Sequence, residues 1–123
     1  PMRLLERIRR SLGRMAESDE QRYAEEIEAW AATVRASVRI ADAQSRTRSR
    51  LAGVVRRITV NPLEGHESLE ALLYDGTGEV TVVWMGRRTI PGLGLGTRLV
   101  VEGMLGEQRG ERRLVNPSFE FGS

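Results

Sequence analysis

The chain has 123 residues, no cysteine, and 19 basic against 17 acidic side chains, for a formal net charge of +2. That length predicts one domain with at most an appendage, and the lack of cysteine excludes a disulfide framework, thiolate metal sites and a cysteine nucleophile. No apolar run approaches the roughly 20 residues of a membrane span, and Arg breaks "MRLLERIRRSLGRM" too often for a secretory core, so a cytoplasmic protein is expected.

Pro1 stands ahead of Met2 and is expected to be an added residue, with Met2 the natural start. Residues 1–49 read as an N-terminal amphipathic helical extension ending in a basic hinge. Leu5, Ile8, Leu12 and Met15 recur at three and four residues, opposite Arg side chains. Gly13 weakens this stretch, and Ser18-Asp19-Glu20-Gln21 has the form of a capping box that starts a second helix. That helix is expected to run to about Gln44, with Ile27, Trp30, Ala31, Val34, Val38 and Ala41 on one stripe. Its first half is acidic and its second half basic, as the helix dipole favours. The stripe fits either packing on the rest of the chain or a seam for self-association. "SRTRSR" at 45–50 carries no apolar side chain and forms the hinge.

From Leu51 the apolar period changes to two. "LAGVVRRITV" is a strand with Gly53 at a bend position, and "NPLEGHE" is a loop. "SLEALLYD" and "EVTVVWMG" are strands around the turn Asp75-Gly76-Thr77-Gly78, with Gly76 and Gly78 expected to supply positive φ. "RRTIPGLGLG" cannot be a helix, because of its Pro and three Gly. Residues 97–110 and 111–121 supply two more strands around a turn at Gln108–Gly110. Five sequential strands over 50–123 with bends at Gly53 and Gly103 predict a small closed barrel. This part carries nine Arg against eight Glu and one Asp, hence no net charge.

Asp75 reads as turn geometry, because no carboxylate or His partner stands in a recognisable catalytic motif. His66 is the only histidine and makes neither a metal site nor a triad. The Gly-rich stretches match neither a P-loop nor a dinucleotide fingerprint. An enzyme is not expected, and neither a cofactor nor a metal is implied.

The pattern Gly53-Val54-Val55, Leu69-x-Ala71-x-Leu73-x-Asp75-Gly76-Thr77-Gly78 and Val80-x-Val82-x-Trp84 resembles the OB-fold of the tRNA-anticodon and RecG-wedge type. Gly96-Thr97-Arg98-Leu99-Val100-Val101-Glu102-Gly103 and Asn116-Pro117-x-Phe119-Glu120 fit it too. The whole chain is similar to small actinobacterial OB-fold proteins described as nucleic-acid-binding. The resemblance implies an all-β five-stranded OB barrel behind the helical extension, and a module for single-stranded DNA or RNA. It departs from the usual plan in having no helix between strands three and four, so the 19–44 helix with Trp30 and Ile27 is expected to cover the open barrel end.

OB ligands lie across the outer face of strands two and three. With Val80, Val82 and Trp84 inward, that face shows Glu70, Leu72, Tyr74, Thr81, Val83 and Met85. Arg56, Arg57, Arg87, Arg88, Arg109, Arg112 and Arg113 surround it, which suits phosphate contacts at the edges, with Tyr74 as a stacking ring. All basic residues are Arg, which a GC-rich genome produces by itself and which also suits bidentate phosphate contacts. Leu72, Val83 and Met85 would equally suit a protein partner. The alternative is therefore an interaction module, a homo-oligomer or complex subunit using this face or the N-terminal helix. Membrane-surface binding by residues 2–15 is a third reading, marginal for so short a helix.

Overall fold

Residues Met2–Thr33 form one uninterrupted helix, α1, in a computed structural model of the protein that describes residues 2–62 and 65–123. Pro1, and Leu63 and Glu64 of the loop expected at 61–67, lie outside the described residues. The two expected helices are thus joined, and Ser18 is not an N-cap. Gly13 costs a helix only about 1 kcal/mol, and the Arg, Glu, Leu and Ala around it are good helix formers. The helix also stops well short of Gln44. Ala36 takes a left-handed φ of 63°, and the Ser37 hydroxyl lies 3.1 Å from the Ala31 carbonyl and 2.9 Å from that of Val34. Such contacts serve carbonyls that a helix end leaves free. Beyond it the chain is irregular except for a 3-10 turn at Ile40–Asp42.

Among the described residues six strands follow: β1 Arg48–Asn61, β2 Ser68–Tyr74, β3 Glu79–Met85, β4 Arg98–Gln108, β5 Glu111–Val115 and β6 Ser118–Phe121. β1 begins inside the expected hinge. Up to Val54 it pairs with β4, and from Val54 onward with β2. Gly53 stands at this change of partner, where a Cβ would come 2.6 Å from the Tyr74 carbonyl oxygen. A bulge follows between Val55 and Arg57, increasing the local twist. The order β1-β2-β3-β5-β4 closes back on β1, so five strands form a ring within a six-stranded mixed sheet. The β3–β5 contact is parallel and the others are antiparallel.

The sixth strand arises because the expected strand 111–121 divides. Asn116 has φ 51°, and Pro117 has no N–H to donate. Both fragments still run antiparallel to β4: Leu105 pairs with Leu114, and Leu99 with Phe121, with the register shifted by one residue. Asn116 also ties this break to β3. Its N–H donates to the Val83 carbonyl (2.7 Å) and its side-chain oxygen accepts from the Met85 N–H (2.9 Å).

Alternation holds inside the ring. Leu69, Ala71 and Leu73 of β2 and Val80, Val82 and Trp84 of β3 are all buried in one cluster with Leu51, Val55, Leu99, Val101, Leu105 and Leu114. Trp84 meets Phe119 edge-on at 5.5 Å between ring centroids. The 19–44 segment does reach the core, through Ile40 and Ala43, but not as the expected helix, and Ile27 is buried without joining that core cluster. Ile40, in the 3-10 turn, is 0% exposed and belongs to this core, whereas Val38 and Ala41 of the expected helical stripe are exposed. The β3–β4 connection, expected to offer no cover, contributes buried Ile90 and partly buried Leu93 to the same cluster. α1 packs instead on the outside of the ring, where Ala31, with Trp30 and Val34, meets Ala52 of β1 and Val100 of β4.

Candidate functional site

The β2–β3 turn carries the first part of the site. Asp75 is 2% exposed. Its Oδ1 accepts from the Thr77 N–H (2.9 Å), the Thr77 hydroxyl (2.6 Å) and the Gly78 N–H (3.1 Å), which is how an Asx-type turn closes. Its Oδ2 accepts from the Ile40 N–H at 2.8 Å, and Thr77 Oγ1 accepts from the Ala41 N–H at 3.1 Å. Asp75 closes its turn, as expected, and it also docks a segment 35 positions away in sequence. Gly76 does adopt positive φ, at 90°, but Gly78 does not. Gly78 instead sits close to the docked segment: a Cβ there would stand 3.3 Å from Ile40 and Ala41, a tight contact.

Next to this turn a groove of about 540 Å³ crosses the outer face of β2 and β3. Glu70, Leu72 and Thr81 form its floor. Arg57 and Thr59 of β1 stand along one side, and Gly110–Arg113 of the β4–β5 hairpin along the other. Thr77, Gly78 and Ala41 close one end. The bulge in β1 explains why Arg57 lines the groove with Thr59: beyond it, side chains two apart share a face.

Of the residues expected at an interface, the groove collects Arg57, Thr81, Arg112 and Arg113, with Glu70 and Leu72 of the expected outer face. Tyr74 lies outside its lining, with the Arg56 guanidinium over the ring at 4.0 Å from the centroid. Val83 is 2% exposed, so it presents nothing to a partner, although alternation puts it on the outer side. Met85 is 51% exposed but also outside the groove. Arg87 and Arg88 follow β3 and stay exposed, with Arg88 3.6 Å from Glu67. Arg109 sits at the hairpin tip with φ 53°.

The charges in the groove balance: Arg57, Arg112 and Arg113 face Glu70, Glu79 and Glu111. Arg113 pairs with Glu70 at 2.8 Å, both about three-quarters shielded. The Arg112 guanidinium donates to the carbonyls of Ile40 and Ala41, holding the 3-10 turn in place. Among the described residues Arg57 is the groove cation left without a partner. Alternation marked Glu70 and Leu72 and could have marked Thr59, but nothing local in the sequence signals that Ala41 and Thr77 meet. Among the described residues no group of three or more His, Asp or Glu side chains is placed to hold a metal, and no helix is long and apolar enough to cross a membrane. Compared with known families and curated proteins, the chain matches no family model and no curated sequence.

Proposed function

We propose that the ring is an OB-fold and that the protein is a non-catalytic module binding single-stranded nucleic acid in the groove over β2 and β3. The observation that supports this is the groove itself, floored by Leu72 and Thr81 and flanked by Arg57 and the β4–β5 hairpin. A floor that offers the Leu72 side chain beside Thr81 and Glu70, with cations at the rim, suits a strand whose bases turn inward and whose phosphates run along the edge. In this reading Arg57 and Arg109 meet phosphates directly, and Arg113 exchanges Glu70 for a phosphate. Arg112 keeps its structural role.

Fluorescence anisotropy with labelled single-stranded and duplex oligonucleotides at two salt concentrations tests it. The expected result is a preference for the single strand that weakens with salt. Arg57→Ala should lower the salt slope by about one for each phosphate left without its cation. Oligonucleotide affinity that is absent, or equal for both polymers, would refute the reading. A second reading, a protein-binding surface on the same outer wall, is favoured by exposed Met85, Met104 and Val115, of which Met104 and Val115 line one cleft.

A further inference from the structure

We propose that the free part of α1 pairs antiparallel with α1 of a second copy of this chain, forming a two-fold dimer. Residues 3–23 of α1 are exposed apart from half-buried Ser18, and at Ala24 the helix passes over Gly76. The preceding turns, residues 2–22, therefore extend about 30 Å at 1.5 Å per residue. Along them Leu5, Ile8, Leu12 and Met15 are exposed, as is Tyr23 just beyond. Leu5, Leu12, Ala16 and Tyr23 fall within about 40° of one another around a 3.6-residue helix, with Ile8 and Met15 along one border. A helix draws most of its stability from packing such a face, and here, among the described residues, the face is left exposed.

Charge identifies the occupant. Residues 2–15 carry five Arg and one Glu, whereas residues 16–29 carry six acidic side chains and one Arg. Among the described residues Arg3, Arg7, Arg9, Arg10 and Arg14 form no ion pair, and of the acidic set only Glu28 forms one, with Arg39. A parallel pair would set like blocks side by side. An antiparallel pair sets each basic block along the acidic block of the other copy, and two-fold symmetry satisfies both contacts at once. With Leu5 opposite Tyr23 and Leu12 opposite Ala16 of the second copy, Arg9 falls beside its Glu20 on the same flank of the seam. An anionic membrane surface fits less well, because Asp19 and Glu20 border the same apolar stripe.

Sedimentation velocity of the full chain over a range of concentrations tests this. The wild-type protein is expected to dimerise. Leu5→Glu with Leu12→Glu is expected to be monomeric with an unchanged thermal midpoint of the ring, since both side chains lie on the projecting turns. Arg9→Glu and Glu20→Arg should each weaken self-association roughly tenfold, as like charges replace opposite ones at two contacts. An equimolar mixture of these two variants should associate as the wild type does, because opposite charges then meet at both contacts. Only an antiparallel pair brings positions 9 and 20 together. A wild-type protein that stays monomeric, or variants that do not rescue one another, would overturn the proposal. A monomer that binds vesicles containing phosphatidylserine would replace it with a lipid surface.

Discussion

Asp75 shows how a single side chain can tie two distant segments together. Its carboxylate accepts from Thr77 and Gly78 within its own turn and from Ile40 beyond it. Replacing it by Ala would leave buried N–H groups without acceptors, each at a cost of about 1–3 kcal/mol. Asp75→Ala is therefore expected to lose about 3 kcal/mol in urea unfolding. Asp75→Asn keeps one acceptor oxygen and should lose less. An Ala variant with the wild-type unfolding midpoint would mean that water replaces the carboxylate at no cost. Gly76 serves the same junction, because a Cβ there would stand 2.5 Å from the Ala24 carbonyl oxygen of α1.

At the scale of elements, the segments between regular structure close the core. Ile40 enters the ring from the 3-10 turn, and Ile90 from the β3–β4 connection. Ile40→Ala should thus cost about 2–5 kcal/mol, as for other fully buried aliphatic side chains. Deleting residues 1–22 removes no core side chain and should leave the thermal midpoint of the monomeric ring unchanged, whereas deletion through residue 44 should lower it steeply. Equal midpoints for the two truncations would show that the 3-10 turn contributes nothing. The strands were legible because period-two alternation reports directly which side chains face the core, as at Val80, Val82 and Trp84. The helix end at Thr33 and the burial of Ile40 were not. The helix end goes with the left-handed Ala36 and the Ser37 hydroxyl, and the burial of Ile40 goes with Asp75 and Arg112, which reach it from far along the chain. The groove was legible in part: alternation marked Thr81, while the β1 bulge, which brings Arg57 to its edge, left no unambiguous mark.

Across the whole molecule, charge and shape point to different surfaces. The ring half of the chain has no net charge, so any nucleic-acid affinity must come from local placement of Arg and from stacking, with only a modest salt-dependent component. Tyr74 and Met85 separate the two readings of the outer wall. Tyr74 stands at the end of β2 beside the groove, already stacked with Arg56, and a base would insert against the ring or slide Arg56 onto a phosphate. Removing a stacking platform costs about 1–3 kcal/mol, so Tyr74→Ala should weaken single-strand binding at least several-fold. The oligomeric state, read by light scattering, should not change, since the Tyr74 ring is engaged by Arg56 and is not part of the α1 stripe. Met85 is exposed beyond the groove, so Met85→Glu should leave oligonucleotide binding intact. A protein partner seated on Met85, Met104 and Val115 would instead have to bury that new charge, which is strongly unfavourable without a counter-ion. If Tyr74→Ala binds oligonucleotides normally while Met85→Glu abolishes capture of a protein partner, the outer wall is an interaction surface and the groove is incidental to it.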